Sequence, residues 1–323
     1  MHTQQLGTRW PDLAPALPPA LGAPRWSFHS AGSRLCLYLH PGPAAPSPLL
    51  LVHGLGMGSS AMEMRPVFEH FSGPDSARAV AALDLPGFGS SQRQLSPGAA
   101  TPARMAHAIV DALAQLRARG WAQPVDVCAL GGSCEFVAMA AVQASERFRS
   151  LAFISPDGLE DGVQEPCEEC LTQGLTRLRP GLARLLSVAP LGELLFRSLS
   201  TRASLRQHFE RLWDSPLIDE PLLDYSHQSA RVPGARHMPL ALLCGALSPR
   251  CPAAFYRRLA LPVWLAHGTR GAFTDIGSLR DLGPASAWQV QAYDTGAMPH
   301  FEHEDLFCTQ YGAFLRSLDQ PGN

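Results

Sequence analysis

The sequence predicts an α/β fold in which a mostly parallel sheet is covered by helices on both faces. Short apolar runs of strand length alternate with longer segments of helical periodicity along most of the chain. Such alternation indicates parallel strands, because the connection between two parallel strands needs a crossover that is usually a helix. Hydrophobic residues make up 46% of the 323 residues, which provides the apolar core that a sheet buried on both faces requires.

Each predicted strand is a short apolar run bounded by turn residues. The runs "LCLYLH" and "PLLLVHG" come first, and "ARAVAALDLPG" is a strand that ends in a Pro-Gly turn. Two further strands lie in the middle of the chain and two near its end. The predicted strands are 35–40, 48–54, 77–87, 125–130, 151–156, 261–268 and 287–294.

The predicted helices alternate with these strands and carry recognisable end signals. Thr101 is a typical N-cap, Pro102 is favoured at the first helical position, and Gly120 stands just past the last turn. The predicted helices are 59–71, 102–119, one that begins at about 132, and 304–317.

A long interval without convincing strands divides the sheet-forming part of the chain. Residues 157–250 exceed the length of an ordinary connection and include the leucine-rich run 171–199. This predicts a core built from 1–156 and 251–323, with 157–250 as a helical cap over a site at the strand ends. The alternative is a helical subdomain that only packs on the sheet.

Charge and composition exclude several function classes. A net charge of −2 gives no reason to expect nucleic acid or an anionic membrane as a partner. The chain has no lysine, so all 26 basic residues are arginine, which excludes a Schiff-base lysine and a P-loop lysine. The same arginine-, alanine- and proline-rich composition suggests a bacterial source.

The sequence predicts a cytoplasmic protein. The first residues lack the pattern of a signal peptide, and the chain has no run of eighteen apolar residues. Its eight cysteines are scattered, which is typical of reduced thiols. Cys167 and Cys170 form a C-x-x-C, but there is no second pair and no histidine at metal spacing, so no metal is expected.

Five motifs, in order along the chain, resemble those of one family. They are "LLLVHGLGMGSS", "ALDLPGFGSS", "SERFRSLAFISP", "VWLAHGTRGAFTD" and "YDTGAMPHFEHEDLF". Together they resemble the α/β-hydrolase family, over about 48–156 and 250–317. The resemblance implies an eight-stranded, mostly parallel sheet flanked by helices, with a helical cap inserted after strand 6. The fold alone does not define the function.

The nucleophile position is displaced from the serine that a literal motif search finds. The family's elbow is G-x-S-x-G, and here Gly131-Gly132-Ser133-Cys134-Glu135 lacks the second glycine. Against the family's usual spacing, six residues after Val125 and about fifteen before Glu146 both lead to Gly131. The resemblance therefore favours Gly131 at the nucleophile position, with Ser133 as the alternative nucleophile. Glycine cannot form an acyl-enzyme. The glycine could be natural or the product of an engineered Ser→Gly change.

The resemblance also implies a catalytic histidine and an acid. His300 stands in the expected context before "FEHEDLF". Asp157 follows the sixth strand, where some members of the fold place their acid, although an aspartate before Gly158 is also a common turn residue. Asp275 is the alternative acid, or only a helix cap. A His–Asp pair without a nucleophile could still act as a general acid–base pair, contributing about 10²–10⁴-fold.

The oxyanion hole is implied at the backbone N–H groups of Leu55 and Gly132, with His53 and Gly54 shaping the loop and lining the substrate site. Glu135 lies in the first turn of the following helix, where the helix dipole favours a carboxylate; it is either structural or, if it faces the pocket, a substrate-binding residue and spare acid. Cys134 is a further, less favoured nucleophile.

The leading hypothesis is an enzyme of this fold without serine nucleophilicity. Its predicted chemistry is elimination, cyclisation, isomerisation or water-mediated hydrolysis of a small to medium apolar carbonyl, ester or thioester, as in secondary metabolism. The alternatives are a conventional esterase- or lipase-like hydrolase using Ser133, and a ligand-binding protein without catalysis. No cofactor is expected, because there is no dinucleotide fingerprint or metal cluster. The expected partner is a small-molecule substrate, and a homodimer is left open.

Overall fold

The computed structural model describes residues 17–43, 46–74, 76, 78–95, 98–157, 159, 179–187, 189–271 and 288–319. Eight strands form one sheet in the order β1-β2-β4-β3-β5-β6-β7-β8. β1 and β2 are antiparallel to their neighbours, and all pairs from β4 to β8 are parallel. The strands are β1 Arg25–Ser30, β2 Ser33–His40, β3 Leu49–Val52, β4 Val80–Asp84, β5 Val125–Leu130, β6 Phe148–Ile154, β7 Val263–Gly268 and β8 Trp288–Tyr293.

The predicted mostly parallel, eight-stranded sheet is confirmed, and seven of its strands match predicted runs. The strand that no run predicted is β1, an edge strand whose outer positions are exposed. It joins β2 through Ala31 and Gly32, both with positive φ, as a two-residue hairpin turn requires. An edge strand lacks the continuous apolar run of a buried one, so the sequence signal at β1 is weak.

Helices cover both faces of the sheet. One apolar layer joins the sheet to α2, α3 and α9, and the other joins it to α1, α11 and the helices α6 and α7. The helices are α1 Arg65–Ser72, α2 Pro102–Ala118, α3 Ser133–Gln143, α4 Pro180–Ser187, α5 Ala189–Leu199, α6 Arg202–Trp213, α7 Glu220–Ala230, α8 His237–Leu243, α9 Pro252–Arg257, α10 Pro299–Glu302 and α11 Glu304–Ser317.

A helical segment follows β6 and leads to β7, and α4 to α8 lie within it. Gly58, in the loop after β3, has a φ of +81° and packs so closely on α7 that a Cβ there would lie 2.1 Å from the carbonyl oxygen of Ser226. Only glycine allows this approach. The loop and the helical segment are thus in direct contact, while the division into core and cap at 157 and 250 stays a prediction.

Asp84, at the end of β4, links two loops by hydrogen bonds. Its carboxylate accepts hydrogen bonds from the N–H of Ala61 at 2.8 Å and from the N–H of Ser90 at 2.7 Å. These bonds join the short 3₁₀ helix Ala61–Met64 to the turn after β4. Burial raises the pKa of Asp84 to about 6.

In the part of the chain that the structure describes, no helix has both the length and the apolar character needed to span a bilayer. The six described cysteines are buried free thiols: Cys36, Cys128, Cys134, Cys244, Cys251 and Cys308. Cys167 and Cys170 lie outside the described residues. The cytoplasmic location stays a prediction.

Candidate active site

A sharp strand-to-helix turn lies at the carboxyl end of β5. The strand ends at Leu130, Gly131 has a φ of +55°, and α3 begins at Ser133 after Gly132 as its N-cap. The Gly131 N–H donates to the carbonyl oxygen of Ile154 at 2.9 Å, and the Gly131 carbonyl accepts from the N–H of Cys134 at 3.0 Å. Gly131 therefore occupies the strained position of the turn, in a region that L-residues disfavour.

Gly131 faces open space. A Cβ built on it would have no heavy atom within 4 Å, apart from its chain neighbours. The residue lines a cavity of about 160 Å³. A side chain at this position would therefore project into the cavity without displacing protein atoms.

Ser133 and Cys134 lie elsewhere. Both side chains are fully buried in the first turn of α3, and neither lines the cavity. The Ser133 hydroxyl has no hydrogen-bond partner within the described part of the chain, while the Cys134 thiol lies 3.3 Å from the carbonyl oxygen of Ala129. Burial raises the pKa of the Cys134 thiol well above its usual value, so it stays protonated. Glu135, also buried at this helix start, is not among the cavity-lining residues.

The cavity at the strand ends is mainly apolar with a few polar groups. Apolar side chains come from the loop after β3, from the end of β5, from α6 and from the loop before α10. Four polar side chains, of Ser59, Glu63, Ser155 and Asp157, face it from the sheet side, and His208 faces it from α6. The apolar lining side chains are Leu55, Met57, Leu130, Phe209, Leu212, Ala297 and Met298. A pocket of this kind suits a small apolar ligand oriented by few polar contacts.

The two residues that the resemblance assigns to the oxyanion hole both border this cavity. Leu55 and Gly132 both line it, and a Cβ on Gly132 would lie 3.1 Å from the Leu55 side chain. Among the described residues, neither N–H has a hydrogen-bond acceptor. We call the space in front of these two donors the oxyanion position.

His53 supports the loop. Its Nδ1–H donates to the carbonyl oxygen of Gly54 at 2.6 Å, and its Nε2 accepts from the N–H of Leu85 at 3.0 Å. This arrangement requires a neutral ring, and burial accordingly lowers the pKa of His53 to about 4. His53 lies beneath the cavity rather than on its wall, whereas Gly54 lines it.

His300 is close to the site but is enclosed. The ring is fully buried in α10, packs edge-on against Phe301, and is not among the residues that line the cavity. Nε2–H donates to the backbone carbonyl of Glu63 at 2.8 Å, and Nδ1 has no partner among the described residues. Burial lowers the pKa of His300 to about 4, so the ring is neutral near pH 7.

Asp157 is a cavity residue and is not hydrogen-bonded to His300. One of its carboxylate oxygens, Oδ2, lies 3.3 Å from the place of a Cβ on Gly132, beside the oxyanion position. The surrounding protein raises the pKa of this carboxyl to about 6, although its surface towards the cavity is accessible. Asp275, the alternative acid, lies outside the described residues.

Glu63 is a site residue that the sequence analysis missed. It lies three residues after the N-cap Ser60, so "SSAME" is a capping-box pattern in which the glutamate is expected to return to the cap. Instead, Oε2 accepts from the Gly54 N–H at 2.8 Å and Oε1 accepts from the Ser59 hydroxyl at 2.6 Å. Burial raises the pKa of Glu63 to about 7. In the sequence, the available signal was an acidic residue soon after the glycine-rich loop.

Ser155, at the end of β6, was also missed. It has a φ of +43°, an uncommon conformation for a residue with a side chain. Its hydroxyl donates to the carbonyl oxygen of Ala297 at 2.9 Å and so links β6 to the loop before His300. Strain of this type is typical of functional sites, and Ser155 lines the cavity.

In the residues that the structure describes, no group of three or more histidine, cysteine, aspartate or glutamate side chains could hold a metal ion. The polar groups of the cavity are two carboxyls, two hydroxyls, one imidazole and the backbone donors. The arrangement can orient an oxygen atom and move protons near it.

The fold and this strand-to-helix turn define an α/β-hydrolase-type protein. The profile of the alpha/beta hydrolase fold family matches residues 47–304, so the chain belongs to this family. No curated protein sequence matches the chain significantly.

Solved structures of similar fold have low sequence identity to this chain. Wild-type Cfl2 from Burkholderia cenocepacia is 19% identical, with a TM-score of 0.66 over 90% of this chain and 95% of that chain. The 2-hydroxy-6-oxo-6-phenylhexa-2,4-dienoate hydrolase BphD from Rhodococcus sp. strain RHA1 is 18% identical, with a TM-score of 0.66 over 90% and 98%. The epoxide hydrolase CorEH is 15% identical, with a TM-score of 0.69 over 91% and 99%. At these identities the similarity establishes the fold alone.

Proposed function

We propose that this protein is an enzyme that acts on a small neutral carbonyl, ester or thioester substrate without a covalent serine intermediate. The observation that carries the proposal is Gly131, a residue without a side chain at the strained turn where the family holds its nucleophile. The space that a nucleophile would fill is open to the cavity. The reactions that fit are elimination, cyclisation, isomerisation and hydrolysis by an activated water.

The oxyanion position supplies the electrostatic part of this chemistry. Two unpaired N–H groups, one of them at the start of α3, stabilise negative charge that develops on a carbonyl oxygen. In other enzymes one such donor contributes about 3–4 kcal/mol to the transition state. This contribution does not require a nucleophilic side chain, so it survives the loss of the serine.

The charge of the cavity favours an uncharged substrate. Asp157 and Glu63 both face it, and among the described lining residues the only basic side chain is His208. Two ionised carboxyls in a mainly apolar space oppose the entry of a carboxylate, which can enter only if a cavity carboxyl takes up a proton. The neighbouring structures named for hydrolysis of an oxo-dienoate and of an epoxide support the general class of a hydrolase-like enzyme, and not their particular substrates.

The acid–base groups of the proposed reaction are Asp157, at the cavity wall, and His300, behind it. Because Nε2–H donates to the carbonyl oxygen of Glu63, the basic nitrogen of His300 is Nδ1, which has no partner among the described residues. Burial lowers the pKa of His300 to about 4, so its ring is a neutral base near pH 7, whereas the Asp157 carboxyl has a pKa of about 6 and exchanges a proton closer to neutral pH.

A fluorophosphonate probe tests the absence of a nucleophile. The wild-type protein should remain unlabelled, whereas Gly131→Ser should be labelled at residue 131, because the new side chain would face the open cavity. Gly131→Ala is the matched control, since it adds a Cβ without a hydroxyl. Wild-type labelling that is lost in Ser133→Ala would establish the conventional serine hydrolase instead.

Turnover is then sought by mass spectrometry on a panel of neutral enolisable ketones, esters and thioesters. Conversion by the wild-type protein without probe labelling would support the proposal. Saturable binding of panel members that are all recovered unchanged would favour the non-catalytic binding protein.

A further inference from the structure

The proposed function leaves one buried ionisable group of the cavity without a role. Glu63 is only 7% exposed, yet it lines the cavity beside the loop that carries the Leu55 N–H. Burying a carboxyl is costly, and ionisable groups with perturbed pKa values that border a cavity are candidates for a chemical role.

Glu63 contacts three parts of the site at once. Oε2 accepts a hydrogen bond from the N–H of Gly54, the residue before Leu55, and Oε1 accepts one from the Ser59 hydroxyl. The backbone carbonyl of the same residue accepts from Nε2–H of His300. A Cβ on Gly54 would lie 3.1 Å from Oε2, which shows how tightly the carboxyl is packed against the loop.

The surroundings of Glu63 favour its neutral form. Asp84, behind the loop, carries a charge of the same sign, and His53 and His300 on the adjoining elements are held neutral by burial. Across the cavity lie Asp157 and His208. Among the described residues no arginine pairs with the Glu63 carboxyl, and burial raises its pKa to about 7.

Ser59 can relay a proton between Glu63 and the cavity, because a hydroxyl donates and accepts at the same time. When Glu63 is ionised, the Ser59 hydroxyl donates to Oε1, as the structure shows. When Oε1 carries a proton, that O–H donates to Ser59 Oγ, and the serine hydroxyl turns to the cavity that Ser59 also lines.

We propose that Glu63, acting through the hydroxyl of Ser59, transfers a proton to a substrate oxygen held at the oxyanion position. The proton leaves Oε1 for Ser59 Oγ while the serine hydroxyl proton passes to the substrate oxygen. Glu63 thus loses one proton, the substrate oxygen gains one, and Ser59 is unchanged. This inference rests on the proposed function, since it requires an oxygen atom to bind at the oxyanion position.

Benzoate is a suitable probe, because its carboxylate places a negative oxygen at the oxyanion position and its ring suits the apolar walls. Isothermal titration calorimetry in two buffers of different ionisation enthalpy gives both Kd and the protons taken up. The wild-type protein should take up about one proton per benzoate at pH 8, and Kd should rise about tenfold per pH unit above pH 7. In Glu63→Gln, which preserves an acceptor for the Gly54 N–H, the proton uptake and the pH dependence should be lost.

Asp157→Asn removes the other carboxyl of the cavity, and the proton uptake at pH 8 should persist in this variant because Glu63 is still present. Ser59→Ala should keep it as well but weaken benzoate binding by about tenfold, since one hydrogen bond to a charged oxygen is lost. Uptake that persists in Glu63→Gln and disappears in Asp157→Asn would overturn the role of Glu63 and leave the proposed function standing. If the folded wild-type protein did not bind benzoate even at pH 5.5, where Glu63 is protonated, the proton transfer from Glu63 to the oxyanion position would be refuted, whereas the proposed function would still be decided by probe labelling and the neutral-substrate panel.

Discussion

Nε2–H of His300 donates a hydrogen bond to the backbone carbonyl of Glu63 at 2.8 Å, so the histidine points towards the loop that follows β3. The other ring nitrogen has no partner among the described residues, and Asp157 is not bonded to it. The resemblance implies a histidine oriented by an acid. In the structure the histidine is neutral and buried, and its Nε2–H is hydrogen-bonded to a backbone carbonyl oxygen. The aspartate lines the cavity without a hydrogen bond to the histidine.

The first prediction compares His300→Ala with Gly131→Ala. If His300 is the base, its removal should abolish turnover of the substrate found in the panel, whereas Gly131→Ala should retain most of it. The alanine at 131 should cost about 1–2 kcal/mol of stability, because a φ of +55° disfavours a Cβ. The measurements are kcat and urea unfolding, and unchanged turnover in His300→Ala would refute the role of the histidine.

The second prediction concerns Ser133. Its buried hydroxyl has no hydrogen-bond partner in the part of the chain that the structure describes, so Ser133→Ala should leave the free energy of unfolding unchanged or increase it by about 1 kcal/mol. Urea denaturation measures the change, and turnover should stay at the wild-type level. A large loss of activity in a variant of normal stability would support Ser133 as the nucleophile.

The third prediction is the pH dependence of stability that Glu63 causes. The pKa of Glu63 is raised from 4.5 to about 7 in the folded protein. As the pH rises, the unfolded state therefore loses the Glu63 proton at a lower pH than the folded state. This contribution is present below about pH 4.5 and is lost as the pH rises to about 7, a change of about 2–4 kcal/mol. Glu63→Gln should flatten that part of the urea-unfolding profile relative to the wild-type protein. Identical profiles would show that the pKa of Glu63 does not differ between the folded and the unfolded state.

The fourth prediction concerns a buried ion cluster far from the cavity. Asp126, which has no exposed surface, accepts from Arg78 and Arg149 at 2.7 Å each and from the Ser150 hydroxyl. Asp126→Asn should cost about 3–5 kcal/mol, because it leaves buried arginine charge uncompensated. Glu210→Gln, which removes an exposed partner of Arg206, is the control and should cost less than about 1 kcal/mol. Urea unfolding at pH 7 measures both, and similar values for the two variants would contradict this account.

The sequence predicted the sheet well because each buried strand is itself a continuous apolar run. β5 coincides with its predicted range 125–130, and α11 with the range 304–317. The half-exposed edge strand β1 has no such run and was missed. Local signals were sufficient for the buried strands and also for β8, the other edge strand, although most of its residues are partly or fully exposed, so exposure alone does not explain why β1 was missed.

The site was predictable only in part. Residue spacing alone, compared with the family pattern, leads to Gly131, and the structure finds that residue at the positive-φ turn between β5 and α3. Its assignment as the nucleophile position stays a prediction, as do the roles of His300 and Asp157. Glu63 has the sequence pattern of an ordinary helix cap, and only its contacts with Gly54 and Ser59 reveal a different use.

The sequence by itself determined the α/β class and which segments of the chain form the parallel strands, since these depend on local composition and spacing. It also determined that residue 131 carries no hydroxyl. Tertiary structure decided which polar groups reach the cavity. A histidine and a glutamate separated by 237 positions meet through one hydrogen bond, and a nearby serine is buried in a helix start away from the cavity. Such encounters depend on how distant elements pack, and packing sets both the exposure and the pKa of each group.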